Sequence, residues 1–242
     1  MVTLTYDFDG SIVLVTGANG NLGSAVARAF VESNARLVLL GRSHARVLAA
    51  VPDLIDTERV AVAPSTDLTD EAAVAAAIAW TIARFGRIDV LANTVGGYRG
   101  GASVADASLA DWDAMLALNL RTALLMSKAV IPQMVTRGSG RIIHTASRAA
   151  VGGARNAAAY AAAKAGVLSL TQSLAAEVKR SGINVNCVLP GTIDTPQNRQ
   201  AMPSANHTRW VSAASVAGVF LFLASDAAAD LHGVHLPVYG LS

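Results

Sequence analysis

The sequence has 242 residues, 52% of them apolar, 15% charged and 5% aromatic, with 19 basic side chains against 17 acidic ones. A chain this apolar is not disordered, and at this length one core buries about three quarters of the unfolded surface without metals or disulfides. The formal charge of +2, with no cluster of Lys or Arg, argues against a nucleic-acid partner.

The single Cys187 cannot form an internal disulfide, which favours a reducing compartment. Met1 to Gly10 carries Asp7 and Asp9 where a secretory signal is basic and then apolar, so a cytoplasmic protein is expected. The apolar run Val216 to Ala224 is far shorter than the ~20 residues of a membrane span, and no membrane partner is expected.

Apolar β-branched runs alternate with alanine-rich stretches of helical period, and no Pro/Gly/Ser linker divides them, which predicts one domain over residues 1–242. Strands are expected at Ile12 to Thr16, Arg36 to Leu40, Val60 to Ala63, Ile88 to Ala92, Gly140 to Thr145, Ile183 to Val188 and Val234 to Val238. The first helix runs from near Leu22 to near Asn34, and a second from an N-cap at Thr69 to Gly86. Asp111 to Arg137 reads as a long helix that Pro132 should kink or break, and Asn156 to Arg180 as another, capped by Gly182. Repeated β-α alternation predicts an α/β fold of the Rossmann type: a doubly wound, mainly parallel, seven-stranded sheet with helices on both faces. Such sheets bind ligands at the carboxyl ends of their strands.

Thr16-Gly17-Ala18-Asn19-Gly20-Asn21-Leu22-Gly23 joins the first strand to the first helix. Glycines admit close approach and positive φ, and the helix N-terminus offers N–H groups to an anion, which suits a dinucleotide pyrophosphate; a plain tight turn is the alternative. About 20 residues on, where NAD-specific folds hold a carboxylate against the ribose hydroxyl, this chain has Leu40-Gly41-Arg42-Ser43. Arg42 could pair with a 2′-phosphate, so NADP(H) is favoured, with NAD(H) as the alternative if Arg42 is only a surface residue.

Tyr160 and Lys164 stand one helical turn apart on one face, and a nearby cation favours a phenolate, making Tyr160 a candidate general acid or base. Ser147 follows the fifth strand, thirteen positions before Tyr160. At this point the chain resembles the short-chain dehydrogenase/reductase family, whose serine stands at that distance before a YxxxK motif. Thr16 to Gly23 looks like the family's TGxxxGxG, Asp67-Leu68 like its adenine-contacting pair, and Asp89 to Gly96 like its DxLVNNAG stretch. Asn119-Leu120 looks like its catalytic asparagine motif, and Pro190-Gly191-Thr192-Ile193-Asp194-Thr195 like its PGxIxT segment.

The resemblance implies hydride transfer between nicotinamide and a carbonyl or alcohol, Tyr160 moving the proton. It implies that Ser147 bonds the substrate oxygen, that Lys164 binds the nicotinamide ribose and lowers the tyrosine pKa, and that Asn119 holds a relay water. It further implies cofactor contacts from Gly17, Asn19, Gly20, Asn21, Leu22, Gly23, Asn93, Thr94 and Val95, a nicotinamide pocket shaped by Pro190, Gly191, Ile193 and Thr195, and a homotetramer or homodimer. Two departures stand out. Asn21 replaces the second loop glycine, feasible because Asn tolerates positive φ, and NNAG becomes Asn93-Thr94-Val95-Gly96-Gly97 ahead of a flexible-looking Tyr98-Arg99-Gly100-Gly101.

His44, His144, His207, His232 and His235 lack metal-ligand spacing with a third ligand, so no metal site is expected and His144 reads as a packed strand residue. Trp80 and Trp112 fit helix faces, while Met202 and Trp210 sit in a short polar stretch, Gln197 to Val211, that could cover a substrate. Small-molecule candidates are a 3-oxoacyl thioester, a pteridine, or a small ketone or sugar. Rival readings are an idle dinucleotide-binding regulatory protein and an epimerase or dehydratase.

Overall fold

The computed structural model describes residues 5–55 and 58–241, so Met1 to Leu4 of the N-terminal reading lie outside the described residues. Seven parallel strands form one sheet: β1 (Ile12–Thr16), β2 (Arg36–Leu40), β3 (Val60–Val62), β4 (Val90–Asn93), β5 (Gly140–Thr145), β6 (Ile183–Pro190) and β7 (His235–Val238). Their spatial order is β3-β2-β1-β4-β5-β6-β7, so the chain reverses its direction of travel across the sheet between β1 and β4. Neighbouring β1 and β4 pair in register from Val13 with Val90 to Thr16 with Asn93. That reversal opens a crevice at the carboxyl ends of these strands.

The helices are α1 (Asn21–Glu32), α2 (His44–Ala50), α3 (Pro52–Ile55), α4 (Glu71–Phe85), α5 (Leu109–Leu116), α6 (Thr122–Arg137), α7 (Ala149–Gly152), α8 (Ala158–Val178), α9 (Pro196–Ala201) and α10 (Ala213–Ala224). Because strand side chains alternate faces, β1 sends Val13 and Val15 into one core with Val26, Phe30, Val216 and Phe220 of α1 and α10. Ile12 and Leu14 enter a second core with Val74, Ile78, Met126, Val130 and Leu174 of α4, α6 and α8. Burial on both faces is why β1 reads as an unbroken apolar run.

The limits of β3, β4, β6 and β7 shift by one or two residues from those expected, and three helix expectations change. The break in the Asp111 to Arg137 region lies at a π turn, Ala117–Arg121, and Pro132 sits inside α6. Asp70, not Thr69, caps α4, its carboxylate accepting from the N–H groups of Ala72 and Ala73. The eighth helix starts at Ala158, since Asn156 has φ of +58°. The helical stretch Leu109–Arg137, 29 residues with an 18-residue window of mean hydropathy 1.4, is longer than the Val216 to Ala224 run and by length and composition could cross a membrane. Here it buries Leu125, Met126, Val130 and Met134 against the sheet.

One buried polar link ties the second core together. The His144 imidazole in β5 lies 3.0 Å from Ser127 Oγ and 3.1 Å from Thr171 Oγ1. Burial, and secondarily the Lys164 ammonium, push its pKa from 6.5 down to about 4. The unfolded chain then binds a proton before the folded one, so this contribution to stability is full above pH 6.5 and is lost as pH falls toward 4. Urea titrations of His144→Gln should therefore show a smaller loss of stability between neutral and acidic pH than the parent protein, and equal losses would contradict this assignment.

Candidate active site at the carboxyl ends of the sheet

The turn after β1 is built by close approach. Gly17 has φ of +65°, and a Cβ there would lie 2.9 Å from Val95 Cγ2. A Cβ on Gly23 would strike the Gly17 carbonyl oxygen and lie 2.8 Å from Thr94 Oγ1, so α1 can seat against the turn only with glycine here. Gly20 caps α1 without a side-chain bond, whereas Ser43, Asp70, Ser108, Thr195 and Ser212 cap their helices with side-chain oxygens. The first-turn N–H groups of α1 thus gain no side-chain acceptor from their own cap. Asn21 needs no left-handed conformation: it is the first residue of α1, and its amide donates to Gln197 Oε1 of α9 at 2.8 Å.

A chain of hydrogen bonds then runs across the strand ends. The Thr16 hydroxyl donates to Asn93 Oδ1 at 2.8 Å and accepts from the Thr94 N–H at 3.1 Å, while Thr94 Oγ1 donates to the Thr16 carbonyl at 2.6 Å. Thr145 Oγ1 donates to the Asn93 carbonyl at 2.9 Å, and Lys164 Nζ donates to the Thr145 carbonyl at 2.8 Å. Lys164 is only 3% exposed, and burial lowers its ammonium pKa to about 8.

Asn119, 1% exposed in the π turn, clamps the next loop. Its Oδ1 accepts from the Gly97 N–H at 3.1 Å, and its Nδ2 donates to the Gly97 and Met115 carbonyls at 3.0 and 3.1 Å. Gly96 fits between Asn119 and Lys164, since a Cβ there would lie 2.8 Å from Asn119 Oδ1 and 2.9 Å from Lys164 Nζ. Tyr160 is largely buried: burial raises its phenol pKa, the nearby Ser147 hydroxyl lowers it and Tyr98 adds to the rise. The Lys164 ammonium is held on the Thr145 carbonyl, and the expected lowering of the tyrosine pKa is replaced by a rise, chiefly through burial.

Further out, Arg42 is exposed just past β2, and its charge helps hold the Asp67 carboxyl down, after the larger pull of the Thr69 N–H and hydroxyl. Leu68 is buried in the core beside Leu40. After β6, the Gly191 N–H donates to the Val238 carbonyl, Ile193 bridges to Val211, and Thr195 caps α9. The Trp210 ring lies against His207, centroids 4.4 Å apart and planes tilted by 43°, within its own segment, and Met202 is 40% exposed. Cys187 is buried in β6 with its thiol pushed up to about 12 by burial. The structure thus brings Asn119, Tyr160, Ser147 and Lys164 to the strand ends beside the Gly17 turn. Sequence reasoning missed Thr16 and Thr145 as the links between strands, and Tyr98 as the ring against Tyr160. Each of the two threonines ends a strand of the sheet, which was the available signal.

Residues 11–206 match the profile described as short chain dehydrogenase. The chain belongs to that family of oxidoreductases. Among its relatives, D-threitol dehydrogenase of Mycolicibacterium smegmatis is 34% identical, covering 99% of this chain and 96% of its own length. Levodione reductase of Leifsonia aquatica is 33% identical over 98% of this chain and 95% of its own. Among solved structures, an NAD+-bound xylitol dehydrogenase superposes with a TM-score of 0.90 at 30% identity, covering 96% of this chain and 99% of that one.

The glycine packing gives a direct check. Gly23→Ala should destabilise the protein by about 1–3 kcal/mol through overpacking. Gly218→Ala, in α10 with open space around it, should be neutral or stabilising by up to about 1 kcal/mol through helix propensity. Thermal denaturation of both variants measures the contrast.

Proposed function

We propose that the protein reduces a small-molecule carbonyl, or oxidises the matching alcohol, with NADP(H) as the favoured cofactor. The reading is carried by the convergence of Ser147, Tyr160 and Lys164 on the strand ends beside the Gly17 turn. The residues present fit a dinucleotide: the glycine cradle lacks Cβ atoms where a backbone must come close, and α1 keeps its N-terminus free of a capping side chain. Gly17, Asn19, Gly20, Asn21, Leu22 and Gly23 would hold the pyrophosphate, Asp67 and Leu68 the adenine side, and Asn93, Thr94 and Val95 the wall beneath it. Pro190, Gly191, Ile193 and Thr195 would bound the nicotinamide end. When bound there, a nicotinamide would supply or accept the hydride.

Tyr160 would supply the proton to the carbonyl oxygen in reduction and remove it in oxidation, with Ser147 bonded to the same oxygen. Lys164, fixed by the Thr145 carbonyl, would present its ammonium to the ribose side of the site. The side-chain amide of Asn119 is engaged by Gly97 and Met115, so a relay water there would be held by the second lone pair of its Oδ1. Oxidoreductases named for a polyol and for a dione among the relatives support an alcohol or ketone substrate. Arg42 at the β2 end, where no carboxylate stands, supports NADP(H).

Consumption of the reduced cofactor across a panel of ketones, hydroxyketones and 3-oxoacyl thioesters tests the reaction, and failure of every carbonyl would count against it. Arg42→Ala should weaken NADPH binding about tenfold or more, the worth of a charge-assisted bond, and leave NADH nearly unchanged. Equal effects on both would refute the assignment. Because burial holds the Tyr160 phenol above its ordinary value, alcohol oxidation, which needs the phenolate, should climb with pH through the alkaline range. Carbonyl reduction, which needs the phenol, should stay flat near neutrality; initial rates in both directions across pH measure this.

A further inference from the structure

The segment after β4 reads as flexible from its glycines, yet it is fixed at several points. Gly97 is bonded through both its N–H and its carbonyl to the Asn119 side chain, at 3.1 and 3.0 Å. The Gly101 N–H donates to the Asn156 carbonyl at 2.7 Å, tying the far end of the segment to the start of α8. Arg99 Nη1 pairs with Asp111 Oδ1 at 2.6 Å, a third tie to α5. Between these anchors, the Tyr98 ring stands edge-on to Tyr160, with centroids 5.1 Å apart and planes at 76°.

Gly100 completes the arrangement. A Cβ there would strike the Tyr98 hydroxyl and lie 3.0 Å from the Asn156 carbonyl oxygen, so the phenol of Tyr98 rests against a position that only glycine leaves open. Tyr98 nevertheless remains 68% exposed. An uncovered aromatic ring in contact with the proton-transferring ring offers apolar surface immediately beside Tyr160. The segment that carries this exposed ring is thus held on both sides of it, at Gly97 and at Arg99 and Gly101.

We infer that Tyr98 is a specificity-determining residue, forming with Tyr160 an aromatic corner that receives an apolar ring or alkyl substituent on the carbonyl carbon of the substrate. The inference rests on the reading of Tyr160 as the proton-transfer residue. A cyclic apolar ketone would bury its ring against Tyr98, whereas a small hydroxylated ketone has no such surface to bury.

The test compares kcat/KM for cyclohexanone and for hydroxyacetone, with NADPH, in the parent protein, Tyr98→Ala, Tyr98→Phe and Gly100→Ala. The ratio of cyclohexanone to hydroxyacetone should fall about tenfold or more in Tyr98→Ala, mainly through KM, and be kept in Tyr98→Phe, which retains the ring. Gly100→Ala, which must displace the Tyr98 hydroxyl, should move the ratio in the same direction and serves as the second measurement if Tyr98→Ala does not fold. An unchanged or increased ratio in whichever of these variants folds overturns the inference and leaves the functional reading standing. A parent protein that turns over neither ketone, nor any other carbonyl, overturns both.

Discussion

The Thr16 hydroxyl, at the end of β1, donates to the Asn93 side chain and accepts from the Thr94 N–H. Through Asn93 and Thr145 the same line of bonds continues across β4 and β5 to the Lys164 ammonium. Parallel strands end with polar backbone groups that have no further ladder partner, and buried groups of that kind must be satisfied. Here they are satisfied by side chains that fix the relative height of three strand ends and of α8. The cradle for a pyrophosphate and the face carrying Tyr160 and Lys164 therefore share one rigid frame.

That frame accounts for the electrostatics. Lys164 is taken out of water and given a single carbonyl acceptor, which lowers its pKa to about 8 without an opposing carboxylate. Tyr160, largely buried beside Tyr98, moves the other way. Two titrating groups one helical turn apart are thus pushed in opposite directions, the ammonium made readier to lose its proton and the phenol slower to give one up. His144, directly behind on β5, stays neutral and adds no competing charge near the lysine.

Much of this was legible in the sequence. Unbroken apolar strands such as Val13 to Val15 predict a parallel sheet buried on both faces, and the strand limits for β1, β2 and β5 agree with the structure to the residue. The spacing from Ser147 to Tyr160 to Lys164 was readable because one helix and one strand end carry it. The helix break was not: Ala117–Arg121 contains no Gly or Pro, and its π turn coincides with the tertiary bonds from Asn119 to Gly97. Asn21 was read through its tolerance of positive φ, a local property, whereas its partner Gln197 lies 176 residues away. Tyr98 was hidden for a similar reason, because glycines that look like flexibility in sequence serve here as clearance for Asn119, Lys164 and the tyrosine itself.

The central claim is that the frame exists to hold Tyr160 as a proton donor beside a bound dinucleotide. Tyr160→Phe removes only the hydroxyl, so the direct measurement is its NADPH affinity and its single-turnover rate of carbonyl reduction, both against the parent protein. The account predicts NADPH binding within about threefold of the parent and a chemical step slower by about 10²–10⁴, the usual worth of a positioned acid. Near-normal turnover in Tyr160→Phe would contradict it.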